Sequence, residues 1–203
     1  MTFDSNIFPV FYAGPISYYS ALLKRQSITF EIKEHFSKQT YRNRTCILSA
    51  NGPLNLSIPV VKTGGKMPIE EVRISYKEHW QKDHWNALHS AYGSSPYFEY
   101  YDYLFEGMFA KKVDLLLDFN LQIHKTILRC LDLEVEHQLS KEFKALGDVD
   151  PRIAFNSKGK NLIETTFPSY YQTFSKQGFV ADLSILDLLF NLGPEARVYL
   201  KKL

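Results

Sequence analysis

The sequence has little of several features that mark specialised classes of protein. Its 203 residues include two cysteines, Cys46 and Cys130, both in apolar surroundings. Two cysteines in a chain of this length are too few for a disulfide framework, so we expect a reducing, cytoplasmic location. No apolar run approaches the roughly 18 residues of a membrane helix, so we expect no membrane span. Residues 1–15 lack the basic start of a signal peptide, and we expect none.

The charges of the chain nearly cancel, and the familiar catalytic motifs are missing. The 24 Lys and Arg residues against 22 Asp and Glu residues give a net charge of +2. A nucleic-acid-binding protein usually carries a larger basic excess. The sequence contains no GxGxxG, P-loop, HExxH, GxSxG or CxxC motif. We therefore expect no nucleic-acid partner, no cofactor and no metal site.

The N-terminal part has the pattern of a β-strand, a helix and a second strand. Residues 7–13 are apolar, Ile16–Lys24 has helical spacing, and Ser27–Phe36 alternates between apolar and polar residues. A further strand is predicted at Thr45–Ala50. It is followed by Asn51-Gly52, which favours a type I′ turn with positive φ at both residues. The alternating residues after this turn complete a hairpin.

The rest of the chain is mostly helical in pattern. Helices are predicted at Lys77–Tyr92, Tyr103–Lys112, Val113–Leu131 and Ser184–Asn191, and loops at Lys62–Pro68 and Gly147–Gly159. Gly193 is placed to cap the last helix, and Pro194 to end it. We predict one domain over residues 1–203. The predicted fold is α/β, with a mixed sheet, a Rossmann-like βαβ start, helices packed on the sheet and a mostly helical C-terminal half.

The segment QTYRNRT, Gln39–Thr45, is the strongest candidate for a binding site. If it is extended, side chains alternate, and Arg42 and Arg44 share one face with Cα atoms about 6.6–7 Å apart. Arginine donates in pairs to phosphate or carboxylate oxygens, so the two side chains are suited to bracket one anion. In the alternative interpretation, both arginines pair with carboxylates such as Glu31 or Glu34, with no ligand involved.

Three histidines, His79, His84 and His89, lie on one predicted helix at spacings of five residues. Each is turned about 140° from the next around the helix, so they cannot share a metal ion. We select His84 as the candidate catalytic base. A structural role is favoured over a catalytic one, because His84 also lies in a buried stripe with Trp80 and Leu88.

The full hypothesis places a ligand between these two regions. The arginines form its phosphate end, and His84 approaches the other end with Tyr97. The predicted binding residues are Arg42, Arg44, Asn43, Tyr41, His35 and Tyr97.

Two further patterns leave their interpretation open. The segment Tyr92–Phe105 contains seven aromatic residues. These either form a stacking surface for a sugar or a base, or anchor a turn at Ser95-Pro96 to the core. In the last helix, Ser184, Asp187 and Asn191 form a polar stripe. We expect that stripe to face solvent, and its alternative place is a cleft.

Several segments together resemble the WbqC-like protein family, in the form common among Bacteroidetes. They are GPISYY (14–19), EHFSKQTYRNRTCIL (34–48), ANGP (50–53), LSIPV (56–60), the segment 84–101 and LSILDLLFNLGPEA (183–196). Many family members open with a QPxxFP-type segment, whereas this chain has FYAGPISYY without the glutamine. The resemblance implies a role in the synthesis of bacterial surface polysaccharide of the O-antigen type.

Two hypotheses for function follow. In the first, the protein is a transferase that acts on a phosphorylated or nucleotide-activated sugar. In the second, it is a non-catalytic protein of the same pathway that binds a glycan or a partner enzyme. The surroundings of His84 discriminate between them: an imidazole open to a cleft and held by a carboxylate supports catalysis, and one sealed by Trp80 and Leu88 supports a structural role.

Overall fold

The computed structural model describes residues 5–62, 65–145, 150–155, 165–175 and 178–203. Within these ranges the strands are β1 (Ile7–Phe8), β2 (Ser27–Phe30), β3 (Arg44–Ser49), β4 (Gly52–Ser57) and β5 (Glu136–Leu139). The helices are α1 (Ile16–Leu23), α2 (Trp80–Tyr92), α3 (Phe98–Ala110), α4 (Leu116–Cys130), α5 (Pro151–Ala154), α6 (Ile185–Leu192) and α7 (Glu195–Lys202). The predicted α/β class is confirmed.

A three-stranded parallel sheet in the order β1-β2-β5 contains the predicted βαβ start. Ile7 pairs with Thr29, and Ser27 pairs with Glu136, so β2 is central. Strand β2 ends at Phe30, earlier than predicted, because the next residue turns inward. Glu31 is fully buried, and its Oε1 accepts a hydrogen bond from the backbone N–H of Lys33 at 2.8 Å. This bond closes a local turn and ends the strand.

The predicted hairpin is present as a separate two-stranded antiparallel sheet. Ser49 pairs with Gly52, so the loop residues are Ala50 and Asn51, one position earlier than expected. Gly52 has a φ of 100°, whereas Asn51 is not among the residues with positive φ. The expected pair of positive φ angles at Asn51-Gly52 is therefore wrong: the left-handed residue is Gly52, which opens β4.

Helices enclose the core of the C-terminal half, and α6 lies at its centre. Every residue of α6 from Ile185 to Asn191 is buried. Gly193 caps this helix as predicted: its N–H donates to the carbonyl oxygen of Leu189, and its φ is 53°. A side chain at Gly193 would meet the ring of Tyr97 at 2.4 Å, so the close approach requires glycine.

The polar stripe of α6 faces the interior, so the expected solvent exposure of Asp187 is wrong. Asp187 is 0 % exposed, and its carboxylate accepts hydrogen bonds from Tyr92 Oη (3.0 Å), Tyr170 Oη (2.5 Å) and Gln172 Nε2 (2.9 Å). Burial raises the pKa of Asp187, against the lowering effect of these three donors. The carboxylate ties residues 170–172 to the core.

Both predicted loops fall partly outside the described residues. Thr63 and Gly64 of the first loop lie outside, as do residues 146–149 and 156–164 in and beyond the second. Inside the second predicted loop, Pro151–Ala154 forms the short helix α5, capped by Asp150, whose side chain accepts from the N–H of Arg152.

Candidate functional site

The segment QTYRNRT is a turn that leads into β3. Residues 41–43 are in turn conformation and the strand begins at Arg44, so the expected extended alternation of Arg42 and Arg44 is wrong. Asn43 holds the turn: its Nδ2 donates to the carbonyl oxygen of Ile58 at 2.9 Å, and its Oδ1 accepts from the N–H of Gln39 at 3.1 Å. These local side-chain bonds compete successfully with strand pairing.

The two arginine side chains therefore contact different groups. Arg42 is 6 % exposed and donates from Nε (2.7 Å) and Nη2 (2.6 Å) to the two carboxylate oxygens of Glu34, which is also buried. This is the carboxylate pairing considered as the alternative interpretation. Arg44 is half-buried, and its Nε donates to Ser57 Oγ on β4 at 3.1 Å. The two arginine side chains therefore do not share one face of a strand, and they do not form the predicted joint anion site.

A second buried carboxylate lies where strand β2 ends. Glu31 accepts from Ser140 Oγ (2.7 Å) and from the backbone N–H of Lys33 (2.8 Å) and Lys144 (3.1 Å). Ser140 in turn accepts from the N–H of Ile32, so the residues following β2 and β5 are joined. In parallel sheets the carboxyl ends of the strands lie at one edge, which is where α/β proteins usually bind ligands.

A buried arginine completes the group at this edge. Arg152 donates from Nε and Nη2 to Asp150, with Nη2 2.6 Å from Oδ2. Its Nη1 is buried without a hydrogen-bond partner and lies 3.8 Å from Glu31 Oε2. Burial alone would lower the pKa of Arg152, but the hydrogen bond and charge of Asp150, with the charges of Glu34 and Glu31, raise it. The guanidinium thus stays charged while one of its donors lacks an acceptor.

Two of these ion pairs, Arg42 with Glu34 and Arg152 with Asp150, line an open cleft of about 480 Å³, which we call the ion-pair cleft. Its lining residues are Glu34, His35, Ser37, Thr40, Arg42, Phe143, Asp150, Arg152, Ile153 and Phe155. His35 is exposed at the rim, and the Phe143 ring is 56 % exposed with the Arg152 guanidinium 5.0 Å from its centre. The volume falls in the range of small-molecule sites.

A second cleft, of about 660 Å³, lies on the other side of the same turn. We call it the lysine cleft, because Lys38, Lys62 and Lys77 line it with Glu78, a formal charge of +2. Asn43 and Ser57 also line it, and Ser57 Oγ accepts from Arg44. Residues 37–43 therefore separate a positively charged cleft from the ion-pair cleft.

Comparison with protein families gives a match over almost the whole chain. The model of the WbqC-like protein family matches residues 11–154 and 148–199. The chain belongs to the WbqC-like protein family. Comparisons with curated proteins and with solved structures gave no match. The two clefts and the turn between them fall inside the matched residues of this WbqC-like protein.

His84 is sealed in the core of the WbqC-like protein. It is 5 % exposed, its Nδ1 is 3.0 Å from Tyr12 Oη, and the Trp80 ring meets it edge-on at 5.1 Å. Burial lowers the pKa of His84 to about 4, despite a hydrogen bond with the backbone of Ser57 and the nearby charge of Asp83. No carboxylate holds the ring among the described contacts. These surroundings match the structural role that the sequence favoured for His84.

The other predicted binding residues lie in four places. Tyr41 is buried against Phe11, with ring centres 5.5 Å apart, and supports the turn from inside. Tyr97 is at the start of α3, where its N–H donates to Phe190, and it lines neither cleft. His35 and Arg42 line the ion-pair cleft, while Asn43 lines the lysine cleft.

The aromatic segment before and within α3 divides between the two interpretations given above. Tyr92, Phe98 and Phe105 are buried in the core, whereas Tyr100 and Tyr103 are 69 % and 65 % exposed. The buried rings anchor α2 and α3 to Phe190 of α6. For the exposed tyrosines, a role as a stacking surface for a sugar or a base stays a prediction.

Sequence reasoning missed the residues that complete the two clefts. Asp150 and Arg152 were assigned to a loop, although Asp150-Pro151 has the pattern of a helix start, with an N-cap followed by proline at the first helical position. The three lysines of the lysine cleft carry no local signal. Among the described residues no group of three or more His, Cys, Asp and Glu side chains is arranged to hold a metal ion, and no helix is long and apolar enough to cross a membrane.

Proposed function

We propose that this WbqC-like protein is a transferase of surface-polysaccharide synthesis that binds a nucleotide-activated or phosphorylated sugar across the turn formed by residues 37–43. The observation that carries the proposal is the pair of clefts on either side of this turn. The lysine cleft supplies positive charge in an open surface, and the ion-pair cleft supplies planar polar groups beside an exposed aromatic ring. The protein would act in the cytoplasm on such a substrate.

The phosphates of the substrate are assigned to the lysine cleft. Lys38, Lys62 and Lys77 are all exposed, and their flexible side chains can adjust to contact a diphosphate. Asn43 forms part of the cleft wall, and Arg44 adds a further cation beside Ser57. The cleft alone carries a formal charge of +2, which equals the net charge of the whole chain, so the attraction for an anion is concentrated there.

In the transfer step, a hydroxyl of the acceptor forms a bond to the anomeric carbon of the sugar. The bond from that carbon to the phosphate oxygen breaks, and its electron pair leaves with the nucleoside diphosphate. The acceptor's proton passes to His35, the exposed imidazole at the rim of the ion-pair cleft. The buried His84 takes no part in this step.

The non-catalytic alternative keeps a specific observation in its favour. The sealed position of His84, between Trp80 and Tyr12, argues against a catalytic role for the candidate base that the sequence suggested. In this second proposal the same two clefts bind a sugar intermediate without converting it. A histidine-independent binding signal with no turnover would favour it.

The test is a thermal-shift screen with UDP-glucose, UDP-N-acetylglucosamine, GDP-mannose and pyrophosphate. A ligand at 100 times its Kd adds about 2.7 kcal/mol to stability, which raises Tm by roughly 5–10 °C for a protein of this size. The triple variant with Lys38, Lys62 and Lys77 each changed to Gln should lose this rise. The matched control changes the exposed Lys125, Lys201 and Lys202 to Gln and should keep it.

The screen can contradict the proposal in two ways. If no nucleotide sugar or pyrophosphate raises Tm, the protein has no such site. If the two triple variants lose the response equally, the effect reflects net charge and the lysine cleft is not the phosphate site. Transfer itself is tested by release of UDP or GDP with an acceptor glycan, which the His35→Gln variant should reduce without weakening binding.

A further inference from the structure

We infer that the ion-pair cleft recognises the uncharged, hydroxyl-bearing ring of the sugar and excludes its phosphate. The inference rests on the proposed function and assigns the two ends of the substrate to the two clefts. It follows from how the guanidinium groups in the cleft are already bonded, from the charge that surrounds them and from the exposed ring beside them.

The donors that would grip a phosphate are already engaged. Arg42 directs Nε and Nη2 to Glu34, and Arg152 directs Nε and Nη2 to Asp150. Bidentate donation of this kind is what arginine uses to hold phosphate. A phosphate entering the cleft would have to displace a carboxylate from each guanidinium, so the arginines here are part of the wall.

The charge of the group also disfavours an anion. Glu31, Glu34 and Asp150 contribute three negative charges, and Arg42 and Arg152 contribute two positive charges, which leaves a formal charge of −1. All five side chains are at least nine-tenths buried. A phosphate would add one or two further negative charges to a poorly solvated group, which like-charge repulsion opposes. A neutral ligand avoids this cost.

A sugar ring suits the remaining groups of the cleft. Arg152 Nη1 is buried without a hydrogen-bond partner and lies 3.8 Å from Glu31 Oε2, so it adds positive charge to the wall and is not a donor to the ligand. Carboxylates that already accept from arginine retain lone pairs for hydroxyl donors. The exposed face of Phe143 offers an apolar surface to the C–H groups of the ring. The cleft therefore offers hydrogen-bond acceptors and a flat apolar face.

The position of the cleft relative to the phosphates is set by the turn. Ser37 and Thr40 line the ion-pair cleft, while Lys38 and Gln39 line the lysine cleft. A nucleotide sugar that lies across residues 37–40 therefore reaches both clefts. Its anomeric carbon would then lie near the turn, close to His35.

The experiment compares a nucleotide sugar with its own nucleotide by isothermal titration calorimetry. UDP-glucose and UDP, or the pair that the thermal screen identifies, are titrated into the full chain and into Phe143→Ala. The ratio of the two Kd values measures what the sugar contributes. We expect the nucleotide sugar to bind about tenfold more weakly to Phe143→Ala, a change of about 1.4 kcal/mol, with the Kd of the nucleotide unchanged. Tyr103→Ala, which removes an aromatic ring of similar exposure on α3, should change neither Kd.

A second variant tests whether the loss of sugar affinity in Phe143→Ala comes only from a local change in the shape of the cleft. Arg152→Lys keeps a cation beside Asp150 but cannot replace the fork, and it should also weaken the nucleotide sugar selectively. The inference is overturned if the nucleotide and the nucleotide sugar bind the full chain equally, or if Phe143→Ala weakens both alike. In those outcomes the phosphate site of the proposed function still stands. Failure of every nucleotide and nucleotide sugar to bind removes the proposed function itself.

Discussion

The buried pair between Arg42 and Glu34 allows a quantitative test of what the QTYRNRT segment contributes to stability. Both residues are 6 % exposed, and two hydrogen bonds of 2.7 and 2.6 Å join them. Changing Arg42 to Met keeps most of the apolar stem but leaves the Glu34 carboxylate buried without its partner. Removing one partner of a buried pair typically costs about 3–5 kcal/mol. For a protein of this length the loss lowers Tm by roughly 6–20 °C.

A surface ion pair of the same chemistry supplies the control. Arg73 Nη2 lies 3.0 Å from Asp114 Oδ2, and both side chains are about two-thirds exposed. The Arg73→Met change should cost at most about 1 kcal/mol, because water screens the exposed pair. Urea unfolding followed by circular dichroism gives both free energies of unfolding. The double variant Arg42→Met with Glu34→Met should be less destabilised than Arg42→Met alone, since no charge remains buried and unpaired.

Two results would refute this reasoning. Equal losses in Arg42→Met and Arg73→Met would mean that burial of the Glu34 pair has no energetic consequence. A double variant as unstable as the sum of the two single variants would mean that the two side chains do not interact in solution. Either result would also remove the claim that the arginines of the ion-pair cleft are engaged by the protein itself.

Three further changes test other parts of the structure. The pKa of His84 is lowered to about 4, below its usual 6.5, so the unfolded state binds a proton in a pH range where folded His84 stays neutral, and stability should fall as pH drops from about 6.5 to 4, by up to about 1.4 kcal/mol per pH unit. In urea titrations at several pH values, His84→Gln should reduce this slope and keep the part due to His124, whose pKa is lowered by burial to about 3. Asp187→Ala leaves two tyrosine hydroxyls and an amide without their acceptor, so it should cost at least about 1–3 kcal/mol and expose residues 165–175 to trypsin or chymotrypsin. Asp118→Ala, on the exposed side of α4, should do neither. Gly193→Ala places a Cβ against the Tyr97 ring and puts alanine at a φ of 53°, so it should lower the free energy of unfolding in urea by at least about 1–3 kcal/mol. In a Tyr97→Ala background, only the part of this loss that is due to the clash should be recovered.

Local patterns in the sequence predicted the elements of the fold well. The βαβ start, the hairpin and the cap at Gly193 each depend on residues close together in the chain, and each is present. Asn51-Gly52 predicted the hairpin but not its turn, because Gly52 pairs with Ser49 and Ala50 takes up a turn position. Exact turn type depends on which neighbours pair, which a two-residue motif does not specify.

The candidate site could be predicted only in part, since its residues come from distant segments. Arg42 and His35 are near each other in sequence, but the carboxylate that engages Arg42 and the group around Arg152 depend on the end of strand β2 and on residues 140–155. Periodicity placed Ser184, Asp187 and Asn191 on one face correctly but could not say what covers that face. Tyr92 and Tyr170 cover it from two other segments.

The central place of strand β2 has a consequence for the order of folding during synthesis. Its partner β5 lies 109 residues further along the chain, as the pairing of Ser27 with Glu136 shows. Until that segment has left the ribosome, one edge of β2 has no strand beside it and Glu31 lacks Ser140 and Arg152. Nascent chains that end before these residues should therefore expose an unpaired strand edge and a poorly compensated carboxylate, and they should need chaperone binding for longer than chains that include them.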